Sequence, residues 1–144
     1  TMRMESGFLH WGHDISPEEN QYQAGLEFTI SKTKEIDFVG KKALENLKNK
    51  INRNFAMLIL KNNEPGKPLL LYDEPIYLGK KIIGKTTSGN YSFNFNKNLA
   101  FGYIDNKYKD EAIISQELYI EVEKTKYKAE IILKPLKTTD FKNI

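Results

Sequence analysis

The pattern of apolar and polar residues changes near residue 52. Before that point, residues 37–51 carry apolar side chains on one stripe between lysines, which predicts an amphipathic helix. Residues 24–30 instead place Leu26, Phe28 and Ile30 at every second position, which predicts a strand. The first part of the chain is therefore expected to mix helix and strand.

After residue 52 the pattern predicts a series of short strands separated by turns. The predicted strands are 55–60, 75–78, 81–85, 99–104, 118–122 and 127–133. Gly79-Lys80 predicts a tight hairpin between two of them. Many short strands at this spacing are typical of a small β-barrel or sandwich. We therefore predict an α+β, mainly β chain that divides into residues 1–52 and 53–144.

Composition narrows the classes of function. With 40% hydrophobic and 12% aromatic residues in 144, the chain can bury a core, which excludes disorder throughout. A net charge of +3 is too small an excess to indicate nucleic acid. Basic and aromatic residues do alternate at 107–109 and 124–128, but carboxylates lie among them. A solvated face is favoured there, and a barrel that binds single-stranded nucleic acid is the weaker alternative.

The absence of cysteine and the lengths of the apolar runs limit the types of site and the cellular locations to be expected. The chain has no cysteine, so disulfides and zinc-thiolate sites are excluded. Its longest apolar runs are too short to span a bilayer, and its first residues lack the apolar stretch of a secretory signal. No membrane partner and a cytoplasmic location are expected.

Three polar clusters are candidates for chemistry. His10, His13 and Asp14 invite a metal interpretation, but the spacing matches no helical zinc motif, and a tight turn around Trp11 is favoured. Residues 86–92 form a hydroxyl-rich segment that predicts a hairpin or bulge. It has neither a phosphate-loop spacing nor a nucleophile motif, so no catalytic residue is assigned.

The third candidate is the pair formed by Arg3 and Glu5. On a strand, residues separated by one position face the same side. A carboxylate presented in this way suits a ring edge with several N–H donors, such as that of a pterin or guanine. From the spacing alone, a surface ion pair is favoured over this ligand-binding interpretation.

Several segments, in order, resemble the glycine cleavage T-protein family, especially its dimethylglycine and sarcosine dehydrogenase members. The Arg3-Met4-Glu5-Ser6-Gly7 start is similar to the family's Arg-apolar-Glu-x-Gly motif, and the residues from Leu9 to Ile15 are similar to its aromatic-Gly-x-Asp stretch. Further similar segments are Ala24-Gly25-Leu26, Asp37-Phe38-Val39-Gly40, residues 83–92, residues 97–104 and residues 129–135.

The resemblance implies a role in folate-dependent one-carbon transfer. It implies that residues 1–52 are the end of a folate-binding domain and that residues 53–144 are the family's carboxy-terminal barrel. By the same resemblance, Glu5 would hold the pterin ring of tetrahydrofolate, with Arg3 and Trp11 in the cavity wall and Lys34 or Lys32 near the folate tail. The family's acidic catalytic residue and flavin domain precede the matched segment. A partner that supplies those parts, or an assembly role without catalysis, is the alternative.

Overall fold

The centre of the molecule is a closed barrel of six antiparallel strands. The structure is a computed structural model that describes residues 2–31, 37–61 and 64–132. The strands are β1 (Arg53–Leu60), β2 (Pro75–Leu78), β3 (Lys81–Ser92), β4 (Lys97–Asp105), β5 (Leu118–Val122) and β6 (Thr125–Ile132). Around the barrel they follow the order β1-β4-β3-β2-β5-β6, and β6 pairs with β1 to close it. The predicted α+β, mainly β fold with an antiparallel barrel is confirmed.

Alternate residues of the strands fill the barrel. In β5, Leu118, Ile120 and Val122 are buried, whereas the two residues between them are partly exposed. This is the alternation that predicted the strand. Burial of apolar side chains is the main stabilising contribution, at about 25 cal/mol for each Å² removed from water. The interior also includes Ala56, Leu58, Leu60, Leu70, Ile76, Leu78, Ile83, Ala100, Ile104, Ala112, Ala129 and Ile131.

Two glycines allow β3 and β4 to approach closely. A Cβ on Gly84 would overlap the carbonyl oxygen of Tyr103. A Cβ on Gly102 would lie 2.6 Å from the carbonyl oxygen of Lys85 and 3.0 Å from Ile76. Because backbone atoms of a paired strand cannot move aside cheaply, both positions require glycine.

The part of the chain before the barrel is less regular than predicted. Its helices are α1 (Met2–Glu5) and α2 (Lys41–Leu47), and a third helix, α3 (Lys109–Ile114), lies between β4 and β5. α2 is much shorter than the predicted 37–51 helix and buries none of its residues. It begins only after Gly40, whose φ of 89° is incompatible with a helix that continues from residue 37.

The predicted strand at residues 24–30 is wrong. The backbone N–H groups of Ala24 and Leu26 donate to the carbonyls of Asn20 and Gln21, and a 3-10 helix follows at Glu27–Thr29. Among the described residues no strand pairs with this segment, and its backbone satisfies hydrogen bonds locally.

The amino-terminal segment packs on the outside of the barrel. A second apolar cluster joins Met4 to Met57 and Ile59 of β1, Leu99 and Phe101 of β4, and Phe95. Farther along, the Phe55 N–H donates to the Gln23 carbonyl at 2.8 Å. These contacts place residues 2–26 against β1, β3 and β4.

Candidate functional site

One group of polar contacts between the amino-terminal segment and the barrel converges on Asp14. This residue is only 1% exposed. Its Oδ1 accepts hydrogen bonds from the hydroxyls of Thr87 (2.6 Å) and Ser88 (2.7 Å). Its Oδ2 accepts from Arg3 Nη1 (2.6 Å) and from the backbone N–H of His10 (2.8 Å). A carboxylate has about four acceptor positions, so Asp14 uses all of them.

A β-bulge explains how two consecutive hydroxyls reach one oxygen atom. The register of β3 against β4 shifts between Thr86 and Ser88, so Thr87 is an extra residue in the ladder. Successive side chains of a regular strand point to opposite faces, whereas a bulge changes the direction of one of them. The hydroxyl-rich segment was predicted as a hairpin or bulge. It lies within a continuous strand, and of the two interpretations the bulge is correct.

Arg3 connects α1 to the same network. Besides the ion pair with Asp14, its Nη1 donates to the Phe8 carbonyl at 2.9 Å and its Nη2 donates to Ser88 Oγ at 2.8 Å. Its guanidinium also lies over the Phe101 ring, 5.7 Å from the centroid. The side chain is therefore fixed by the protein itself.

Glu5 lies at the end of α1 and reaches a different part of the barrel. Its Oε1 accepts from Ser92 Oγ at 2.5 Å, and its Oε2 accepts from Asn94 Nδ2 at 2.6 Å. The backbone of Asn94 provides a further hydrogen bond. The residue is 8% exposed, and among the residues that the structure describes no cation lies within salt-bridge distance of its carboxylate.

The charge state of Glu5 follows from these contacts. Burial is the largest single influence and by itself would raise the pKa of the Glu5 carboxyl. The hydrogen bonds from Ser92 and Asn94 oppose it, and the net result is a lowered pKa. Glu5 is thus a largely buried, ionised carboxylate with three donors and room for about one more.

The prediction that Arg3 and Glu5 face the same side of a strand is wrong. They lie on a helical turn, where residues two apart do not face each other. The surface ion pair that the spacing favoured is also wrong, because Arg3 pairs with Asp14 and Glu5 bonds to Ser92 and Asn94.

Trp11 lines a large apolar cavity between the amino-terminal segment and the barrel wall. The cavity has a volume of about 790 Å³, which is in the range of small-molecule sites. Ser6 and Gly7, which follow Glu5 directly, form part of its lining, although the Glu5 and Arg3 side chains do not. The other lining residues are Phe8, Leu9, Ile15, Ala24, Gly25, Leu26, Phe28, Phe55, Met57 and Ile132.

A smaller polar cleft of about 280 Å³ lies beside this site. Its walls include an ion pair between Arg53 and Glu19 (2.5 Å), and the Arg53 guanidinium lies 5.2 Å from the Tyr103 ring centroid. Burial, with the nearby Glu19 charge, raises the pKa of the Tyr103 hydroxyl. That hydroxyl donates to the backbone carbonyl of Asp14 at 2.8 Å, so Tyr103 of the cleft also helps to fix the position of Asp14.

The remaining predictions for this region concern histidines and lysines. The His10 and His13 rings lie 4.7 Å apart in the turn, and the described residues contain no cluster of three or more His, Cys, Asp or Glu suited to a metal ion. Lys34 and its alternative Lys32 lie outside the described residues. No helix in the described parts of the chain is long and apolar enough to cross a membrane.

The sequence interpretation missed the partners of the two carboxylates. Ser92 ends β3 and Asn94 lies in the β3–β4 turn, and nothing in their spacing indicates that they meet Glu5, which is nearly ninety residues away. The only available signal was the unusual number of hydroxyl and amide residues between positions 86 and 98.

Comparison with known proteins gives a consistent family match. Residues 53–137 match the family model described as the glycine cleavage T-protein C-terminal barrel domain. Human mitochondrial dimethylglycine dehydrogenase is 33% identical over 140 residues, which are 96% of this chain and 16% of that protein. An aminomethyltransferase of Listeria monocytogenes is 32% identical over 135 residues, which are 94% of this chain and 36% of that protein.

A solved structure supports the fold. The glycine cleavage system aminomethyltransferase T of Bartonella henselae superposes with a TM-score of 0.75 at 22% sequence identity. The superposition covers 92% of this chain and 36% of that one. The chain thus spans well under half the length of each of these relatives.

Proposed function

The chain belongs to the family of the glycine cleavage T-protein C-terminal barrel domain, and from this premise we propose that it is the carboxy-terminal portion of a tetrahydrofolate-dependent one-carbon transfer protein. In this proposal, residues 1–52 are the end of a folate-binding domain and residues 53–144 are the barrel that supports it. Tetrahydrofolate would receive the one-carbon unit of an amine at its N5 and N10 atoms. The chain itself would bind and orient the ligand.

The observation that carries the proposal is the carboxylate of Glu5. Within the described residues this carboxylate has no cation at salt-bridge distance, and a buried ionised group is costly unless hydrogen bonds or charges compensate for the lost water. Ser92 and Asn94 supply three such bonds, which leave about one acceptor position for a further donor. The N–H-rich edge of a pterin ring supplies donors of this kind, and charge-assisted bonds to it are strong.

Trp11 and its neighbours support the apolar part of the proposed site. The ring of Trp11 is 66% exposed and faces a cavity whose lining is predominantly apolar. Stacking on an aromatic side chain is worth about 1–3 kcal/mol for a flat heteroaromatic ring. Arg3 uses three of its five N–H donors on Phe8, Asp14 and Ser88, which fixes the side chain within the protein, so we assign it to the support of the wall. The assignment of Lys34 to the folate tail stays a prediction.

Isothermal titration calorimetry with tetrahydrofolate tests this function. We expect saturable binding with a dissociation constant on the order of 1 mM, equivalent to about −4 kcal/mol, because the chain supplies one wall of the site. Glu5→Gln keeps the size of the side chain but removes its charge, and we expect it to weaken binding at least tenfold. The matched control is Glu123→Gln in the exposed β5–β6 turn, which should bind like the parent. Equal binding by the parent and Glu5→Gln would refute the role of Glu5.

An assembly role is a second candidate, and a specific surface favours it. Phe8, Trp11 and Phe28 are 68%, 66% and 81% exposed around the apolar cavity. Exposed apolar surface of this kind commonly marks an interaction site. In this alternative the surface completes a partner polypeptide that carries the rest of a folate site. Tight binding of such a partner with no effect of Glu5→Gln on folate affinity would favour this role over direct ligand contact.

The cytoplasmic location predicted from the sequence stays a prediction. The relatives compared with the chain include a mitochondrial protein as well as a bacterial one.

A further inference from the structure

The carboxylates of Asp14 and Glu5 differ in what they can still bind. All four acceptor positions of Asp14 are occupied, by Thr87, Ser88, Arg3 and the His10 backbone. Its side chain is fully buried. A group in this state has no capacity for a ligand, so any contribution to a site must act through the residues that it holds.

Asp14 holds three separate pieces of the molecule together. Through Arg3 it fixes α1, which ends in Glu5. Through the His10 N–H it closes the turn that carries Trp11. Through Thr87 and Ser88 it attaches both to the bulge of β3. Thr87 and Ser88 follow Asp14 by 73 and 74 residues in the sequence, so no local structure could fix their position relative to Asp14.

We propose that Asp14 is a positioning residue whose charged carboxylate sets the placement of Glu5 and Trp11 relative to the barrel. This inference rests on the proposed folate function for its consequence, but its geometric claim can be measured without ligand. The bulge at Thr87 is the feature of the fold that serves this purpose, because it directs two adjacent hydroxyls to one carboxylate oxygen.

The chemistry of the four donors explains why the residue must be an aspartate. An asparagine has nearly the same size, but one of its two terminal groups donates. It would place N–H groups against two of the four donors, and the Arg3 charge would lose its partner. Removing the buried partner of this part-buried pair leaves the Arg3 guanidinium, which is 34% exposed, without its counter-charge. Arg3 should therefore move, and α1 and the Trp11 turn with it.

The test compares Asp14→Asn with the control Asp110→Asn, which changes an exposed aspartate of α3. Trp11 is the only tryptophan of the chain, so its fluorescence reports the turn directly. We expect Asp14→Asn to raise the acrylamide quenching constant of Trp11 and to shift the NMR signal of the Asn94 side-chain amide, while the far-UV circular dichroism of the barrel stays unchanged. Tetrahydrofolate binding should weaken at least tenfold. The control should change none of these.

A milder variant covers the case in which Asp14→Asn fails to fold. Ser88→Ala removes one donor to Asp14 and one acceptor for Arg3. We expect it to fold, to increase Trp11 quenching and to weaken binding about fivefold, as the loss of about 1 kcal/mol implies. A Ser88→Ala protein with parental quenching, Asn94 signal and affinity would overturn the inference.

The two proposals can fail separately. If the parent chain binds no folate, the proposed function fails, and the positioning claim is decided by the Trp11 and Asn94 signals alone. If the parent binds and Asp14→Asn binds equally well with unchanged signals, only the positioning claim fails.

Discussion

At the scale of single residues, the site depends on how buried carboxylates are satisfied. Among the described residues, Glu5 accepts hydrogen bonds from Ser92 and Asn94, whereas Asp14 also pairs with Arg3. Ionised, hydrogen-bonded carboxylates stabilise the native state only while they stay deprotonated. Because the pKa of the Glu5 carboxyl is lowered in the folded protein, the contacts of Glu5 with Ser92 and Asn94 should weaken in acid.

Glu5 gives a specific prediction for the pH dependence of stability. Because its pKa is lowered in the folded protein, its contribution is fully present above the ordinary glutamate pKa of about 4.3 and is lost as the pH falls below that value. Glu5→Gln should reduce the free energy of unfolding at pH 7 by about 1–3 kcal/mol. The free energy of unfolding of this variant should also fall less than that of the parent between pH 5 and pH 3, as measured by urea unfolding at each pH.

The control for this experiment is again Glu123→Gln, whose carboxylate is exposed. Its stability profile should follow that of the parent. A Glu5→Gln profile with the same acid-dependent loss as the parent would show that other carboxylates determine the pH dependence.

At the scale of elements, the pairing of β3 with β4 determines where the site is placed. Gly84 and Gly102 allow the close approach of these strands, and the bulge at Thr87 lies next to them. The hydroxyls that hold Asp14 and Glu5 all belong to β3. A change in the spacing of the two strands should therefore disturb both carboxylates.

Gly102→Ala tests this dependence. The new methyl group would meet the Lys85 carbonyl oxygen and the Ile76 side chain, so we expect a loss of about 2–4 kcal/mol in the free energy of unfolding. Thermal unfolding followed by circular dichroism measures it. Ile82→Ala, which truncates an exposed side chain of β3, should cost less than about 1 kcal/mol. Similar losses for the two variants would contradict the close approach of the strands.

The sequence allowed prediction of elements whose pattern reflects burial inside the barrel. The β5 strand and the β2–β3 hairpin could be predicted because side chains at alternate positions of a strand face the barrel interior and the barrel exterior in turn. Residues 24–30 show the same period but form local hydrogen bonds, since alternation cannot reveal whether a partner strand exists. Contacts such as Asn94 with Glu5 depend on the closed barrel and have no local signal. The resemblance to a family singled out Glu5 but not its partners.

At the scale of the whole molecule, the apolar side chains fall into two groups. Phe101 of β4 is completely buried in the cluster that contains Met4 of the amino-terminal segment. Phe28, in contrast, is 81% exposed at the edge of the apolar cavity. The first group stabilises the fold of this chain. The second contributes little to that fold and is available for a ligand or a partner.

A pair of substitutions separates these groups. Phe101→Ala should lower the free energy of unfolding by about 3–5 kcal/mol, and Phe28→Ser should change it by less than about 0.5 kcal/mol, both measured by urea denaturation. A large loss for Phe28→Ser would mean that this side chain belongs to the core.

Catalysis by the 144 residues alone should be negligible. By the resemblance to the family, its acidic catalytic residue lies outside the matched segment. A steady-state assay with tetrahydrofolate and a methylated amine should give no turnover above the buffer control. Robust methyl-group transfer by the purified chain would contradict this expectation.

The central claim is that the chain presents Glu5 and Trp11 to a folate, and an NMR titration with tetrahydrofolate tests it most directly. We predict saturable shifts of the Trp11 indole and the Asn94 side-chain amide in the parent chain. These shifts should be lost in Glu5→Gln and retained in Glu123→Gln. Identical shifts in the parent and Glu5→Gln, or no shift of either signal at millimolar ligand, would contradict the account.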